Sequence, residues 1–323
     1  MKRNIKKFLF PAVAVAVLSF AACSDWTETE SLDINYPTLE EQNPELYKQY
    51  LKALRDYKAG EHKVVLVSMD NTTSAPAQRN EHLTTMPDSV DIICLMNPDN
   101  LHPTLAGEFA KVREKGTRVI YNIDYNAIEK LWEKVLADEE ANKPEEPTNP
   151  STPEATQDEG GEGGGEGEPT PEEELELRFL EFCRQQTVSQ LNLCAKYGYD
   201  GVQVNYTGRA PQAMQEEEKA QYAARQEAFF SNVKTWNEAN SGKVLVFQGN
   251  PQNLIDKSVL GECDYIVIPA LTATSADKMS FAVLMAAVED VPTDRFVIGV
   301  TTPSLTDLSD ESGYFSGYEA DGK

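Results

Sequence analysis

The chain has 323 residues, a quarter of them charged, and a formal net charge of −24. That length suffices for one large α/β barrel or two smaller domains. No basic patch in the sequence suits a nucleic-acid backbone, which excludes that class of partner. The acidity is mostly local: fifteen acids and one base fall between Asp138 and Glu176, so the remainder carries only −10 of the −24.

Residues 1–22 have the build of an export signal. Lys2, Arg3, Lys6 and Lys7 precede an apolar stretch from Phe8 to Ala22, too short for a comfortable membrane span. The stretch ends Phe20-Ala21-Ala22-Cys23, which resembles a bacterial lipobox. That resemblance implies cleavage before Cys23 and acylation of its thiol, with residues 23–40 as a polar tether. The acidic Ser24-Asp25-Trp26-Thr27-Glu28 resembles the surface-export signal of some outer-membrane lipoproteins. The expected location is the outer membrane, lipid-anchored at the cell surface.

Residues 41–323 read as the folded part. A helix is predicted over Pro44–Lys58, with Tyr47, Tyr50, Leu51 and Leu54 on one face. Short apolar runs then alternate with helical stretches. The predicted strands are Val64–Met69, Val90–Met96, Arg118–Asp124, Gly201–Tyr206, Lys243–Gln248, Tyr265–Pro269 and Phe296–Thr301. They are continuous apolar runs, as strands buried on both faces require. Helices are predicted over Thr104–Lys115, Tyr125–Ala137, Pro171–Tyr197, Met214–Ala239, Asn253–Leu260 and Ala276–Val288. The alternation predicts a parallel sheet and a TIM-like (β/α)₈ barrel. No eighth strand is visible after Thr301, so the expectation is a barrel lacking its last strand and helix in this chain. Residues 138–171, rich in Glu, Gly and Pro, cannot supply a packed core and read as a disordered acidic insertion.

The densest information lies in Tyr199-Asp200-Gly201-Val202-Gln203-Val204-Asn205-Tyr206-Thr207. It resembles the signature strand of the family 18 glycoside hydrolases, the chitinases and endo-β-N-acetylglucosaminidases, whose pattern is Asp-x-x-Asp-x-Asp-x-Glu. Asp200 matches the first Asp, while Gln203, Asn205 and Thr207 stand at the second Asp, the third Asp and the catalytic Glu. Period-two geometry puts residues 203, 205 and 207 on the barrel-facing side of the strand. In that family the substrate's acetamido group serves as nucleophile, the Glu protonates the leaving oxygen and the preceding Asp stabilises developing charge. A threonine hydroxyl cannot act as a general acid near neutral pH. The resemblance therefore implies a pseudoenzyme with no catalytic residue. It would be a carbohydrate-binding surface protein for glycans containing N-acetylglucosamine, with an outer-membrane importer and true glycosidases as partners.

Barrel sites form at the C-terminal rim of the strands. The candidate ligand-binding residues are accordingly Asp200, Gln203, Asn205 and Thr207, with Asp70, Asn97, Asp124 and Gln248 from neighbouring strand ends. Asn71, Asn100, Asn250 and Thr272 lie close by. Tyr125, Trp132 and Tyr206 could stack on a sugar, although packing is the favoured role for each. Two other readings stand: an active endo-β-N-acetylglucosaminidase with its acid displaced to Asp70 or Asp124, and a tethered adhesin or structural lipoprotein. His62, His82 and His102 are widely spaced and suggest no metal site, and no cofactor motif is present. Cys94, Cys183, Cys194 and Cys263 sit in apolar contexts and read as core thiols.

Overall fold

The computed structural model describes residues 37–71, 75–143, 169–303, 307 and 309. Cys23, the tether up to residue 36, and residues 144–168 of the acidic insertion lie outside them. The chain divides into two units, Met1–Tyr50 and Leu51–Lys323. In the first, a single helical turn at Leu39–Gln42 follows Thr38, whose backbone and hydroxyl both donate to Glu41. Helix α1 (Pro44–Ala59) then starts on Asn43, whose Oδ1 accepts from the Leu46 amide, and runs across the division into the second unit.

The second unit carries seven parallel strands in chain order: β1 (Leu66–Met69), β2 (Ile92–Leu95), β3 (Arg118–Asp124), β4 (Gly201–Tyr206), β5 (Val244–Gly249), β6 (Tyr265–Pro269) and β7 (Phe296–Gly299). The helices are α2 (Pro103–Glu114), α3 (Tyr125–Ala141), α4 (Pro171–Tyr197), α5 (Glu216–Ala239) and α6 (Ala276–Ala286). This is the expected TIM-like architecture, a curled parallel sheet with β1 and β7 at its edges, and no eighth strand occurs among the described residues.

Alternation along the strands splits the core in two. Ile92, Cys94, Ile120, Val244, Val246 and Val267 pack together on the inner face. Val202, Val204, Tyr206, Leu245, Phe247 and Ile266 join the larger cluster against the helices. Each fully buried side chain of this size contributes about 1.5–3 kcal/mol. The four described cysteines are buried and unpaired, and burial pushes the Cys183 thiol up to about 11.

Several elements depart from expectation, and β1, β2, β7 and α6 are each shorter than predicted. The helix predicted over Asn253–Leu260 is instead two 3₁₀ turns, Pro251–Asn253 and Ser258–Gly261. Side chains outcompete the helix there: Gln226 Oε1 takes the Ile255 amide, and Asp256 takes both the amide and the hydroxyl of Ser258. Helix α5 starts at Glu216, after a 3₁₀ turn at Pro211–Ala213, and not at Met214. Helix α3 continues to Ala141, so the first residues of the predicted insertion are helical.

A repeated device fixes the start of the sheet. Asp91, Asp200 and Asp264 each immediately precede an even-numbered strand. Each reaches back to an amide at the start of the preceding strand: Asp91 to Val65 at 2.8 Å, Asp200 to Val119 at 2.8 Å, and Asp264 to Leu245 at 2.9 Å. These amides lie where the parallel ladder begins, and a carboxylate there satisfies them with a charge-assisted hydrogen bond.

Candidate active site

Strand β4 carries its polar side chains in rows across the sheet. Asn122, Gln203 and Val246 are in register, and so are Asp124, Asn205 and Gln248. In the deeper row Gln203 is fully buried, and its Nε2 donates to Asn122 Oδ1 at 3.1 Å. Its Oε1 has no partner among the described residues, so one acceptor at the base of the site is left unsatisfied.

In the outer row Asn205 lies in register beside Asp124, whose Oδ1 caps α3 through the Asn126 amide at 3.0 Å. Burial raises the Asp124 carboxyl above the ordinary aspartate value, and the Asn126 amide, Lys130 and neighbouring Asn205 offset this only in part. One consequence is measurable. A carboxyl whose folded pKa lies above its unfolded value leaves the folded state penalised once pH rises above both. Asp124→Asn keeps a capping oxygen and removes that charge. It should raise the melting temperature at neutral pH, and the gain should shrink as pH falls through the raised pKa. A gain that is constant with pH would assign the effect to packing.

At the end of β4, Thr207 is held on two sides. Its hydroxyl accepts from Asn126 Nδ2 at 3.0 Å, and its carbonyl accepts from the amides of Asn250 at 3.1 Å and Asn253 at 2.8 Å. The hydroxyl proton is left available to donate to a ligand. Where β1 and β2 end, Asn97 Nδ2 donates to Asp70 Oδ1 at 2.6 Å, and Asn71 exchanges two hydrogen bonds with the Asn97 backbone.

A cavity of about 430 Å³ opens over the ends of β2 and β3. Asn97, Asn122 and Asp124 line it together with Gln186 and Gln190 of α4, and apolar lining comes from Ile128 and Leu131 among others. That volume lies within the range of small-molecule sites. Of the candidates, Asn97 and Asp124 line this cavity; Asp70, Asn205, Thr207 and Gln248 lie at the ends of β1, β4 and β5 outside its lining, and Gln203 lies buried at mid-strand. Asp200 is not at this end of the sheet. Asp200 sits at the opposite end of β4, where both its oxygens accept from Arg113 Nε at 3.0 Å. Its place among ligand-binding residues is corrected to a sheet clamp.

Three aromatic candidates are packing residues. Tyr125 and Tyr206 are buried against each other and against Phe229 and Phe230, and Trp132 packs on Phe179 and Phe182. Sequence reasoning missed Asn122, Asn126, Gln186 and Gln190. Period-two counting along β3 already places Asn122 beside Asp124 on the inner face, so that one had a signal.

The model of glycoside hydrolase family 18, BT1044-like, matches residues 27–158 and 172–319. The chain belongs to this family. Among solved structures it is similar to BT1044, crystallised with selenomethionine and a glutamate-to-glutamine change, at 17% identity. That match spans 82% of this chain and 74% of that one, with a TM-score of 0.49. It is also similar to a family 18 chitinase from Pseudoalteromonas aurantia (12% identity, 79% and 85% of the two chains, TM-score 0.44). The glycoside hydrolase domain of PelA from Pseudomonas aeruginosa aligns at 13% identity over 77% and 98%, with a TM-score of 0.37. No curated protein sequence matches. Within the family 18 signature, this chain keeps the clamp aspartate and carries amides at residues 203 and 205 and a hydroxyl at residue 207.

Proposed function

We propose that this protein is a lipid-anchored, cell-surface, glycan-binding member of family 18 that does not hydrolyse its ligand. One observation carries the reading: the barrel-facing side of β4 presents Gln203, Asn205 and Thr207, with no carboxylic acid among them. Hydrogen-bonding capacity is kept and proton transfer from this strand is lost. Amides and hydroxyls suit a neutral sugar, and Asn205 suits an acetamide, which offers one donor and one acceptor. The ligand class is a glycan containing N-acetylglucosamine, delivered to an outer-membrane importer or to active glycosidases. Asn205→Ala removes a ligand partner within the site and should weaken binding by about 1–3 kcal/mol. Unchanged affinity would move the site away from β4.

A second reading has its own support. Asp124 is a partly buried carboxyl with a raised pKa beside Asn205, which is the environment a displaced general acid needs. Hydrolysis abolished by Asp124→Asn would select it, and absence of any glycan binding would select a structural or adhesive role.

The anchor is tested separately. The N-terminal run ending at Cys23 supports acylation there. Cys23→Ala should release the protein from the membrane fraction and from surface labelling. Retention of the variant at the surface would place the anchor elsewhere.

A further inference from the structure

A cavity larger than the one over β2 and β3 lies away from the rim. It measures about 830 Å³ and lies at the N-terminal mouth of the sheet, where β2 to β6 begin. Val64, Ile92 and Tyr265 form part of its wall. The charged residues lining it are five bases and three aspartates, an excess of two positive charges in a chain of net −24.

The three aspartates are already engaged. Asp91 holds the Val65 amide and His62, Asp200 holds Arg113 and the Val119 amide, and Asp264 holds the Leu245 amide. The other four bases have no ion-pair partner among the described residues. Arg55 donates to the Glu114 carbonyl, Lys58 to the Val90 carbonyl and the Thr117 hydroxyl, and Lys243 to the Tyr199 carbonyl. Arg118, at the first position of β3, has no side-chain hydrogen-bond partner among the described residues. Burial holds the Lys58 ammonium below the ordinary lysine value, and Asp91 and Asp88 offset this only in part.

We propose that this basal mouth binds a ligand bearing a tetrahedral oxyanion, a phosphate or a sulfate, held by Arg118, Lys58, Arg55 and Lys243. The donors come from three separate elements: the C-terminal end of α1, the start of β3 and the start of β5. A tetrahedral oxyanion presents acceptors in all these directions, whereas a planar carboxylate is satisfied by one guanidinium fork. The volume exceeds what one inorganic anion fills, so the oxyanion is carried on a larger body, a soluble organic ligand or a lipid headgroup. The site is independent of the rim, which lies at the other end of the strands.

The test uses the full chain and the Lys58→Ala, Arg118→Ala double variant, with melting temperature as the check on folding. Calorimetry with inorganic pyrophosphate should show saturable binding that the double variant weakens roughly tenfold or more. A second arm pellets both proteins with vesicles of phosphatidylglycerol or of phosphatidylcholine. A phosphatidylglycerol preference that falls in the double variant assigns the headgroup as the source, and pyrophosphate binding without that preference assigns a soluble ligand. Absence of saturable pyrophosphate binding, or equal affinity in a folded double variant, overturns the proposal. Should the double variant unfold, Arg118→Gln alone, at an exposed position, carries the comparison with the same two outcomes.

Discussion

Gly201→Ala is expected to destabilise the barrel by about 3 kcal/mol or more, the largest effect of any single substitution considered. Gly201 opens β4 and lies in register with Val244 of β5. A Cβ built there overlaps the Val244 carbonyl oxygen and approaches its nitrogen to 2.7 Å. Both obstacles are backbone atoms of a central strand, so relief requires moving β5 itself. The control is Gly242→Ala in the preceding turn, where a Cβ meets nothing within 4 Å. That change should be neutral or stabilising by up to about 1 kcal/mol, since it restricts the unfolded chain. Equal melting temperatures for the two variants would show that β4 and β5 are not held as closely as described.

Asp200→Ala is expected to cost about 2–3 kcal/mol while leaving ligand affinity intact. The loss has two parts of unequal size. The Val119 amide, on a fully buried residue, is left without the carboxylate acceptor it now has, which costs about 1–3 kcal/mol. The pairing with Arg113 adds less, because that guanidinium side chain is 40% exposed and solvent screens it. Arg113→Ala should therefore cost clearly less than Asp200→Ala. Thermal melts of both variants decide the matter, at about 2–4 °C per kcal/mol for a domain of this size. A ligand affinity that collapses in Asp200→Ala without a drop in melting temperature would return Asp200 to the binding site.

That distinction shows what the sequence could and could not disclose. The strands were legible because each is a continuous apolar run bounded by turn residues, and β3, β4 and β6 begin and end where predicted. The inner face of β4 was legible by alternation. Asp200 was misassigned because a motif written as one line hides the length of its strand. Six residues span about 20 Å, enough to separate the clamp from the rim.

The bonds that organise the site were not legible, since Asn122–Gln203 and Asn126–Thr207 each join residues 81 apart through sheet register. The break in the predicted Asn253–Leu260 helix was hidden for a related reason. Part of its cause is Gln226, a side chain on the preceding helix. The basal cavity was equally invisible, because its bases are scattered from Arg55 to Lys243 and form no run in a strongly acidic chain.

We propose that this family 18 site binds without cleaving. The most direct measurement is calorimetry and product analysis on one glycan containing chitobiose, with the same preparation of the unmodified protein. Saturable binding with no released product, and binding weakened by Asn205→Ala, is the predicted result. Release of product by the unmodified protein, lost in Asp124→Asn or Asp70→Asn, would contradict it and place the general acid outside the signature strand.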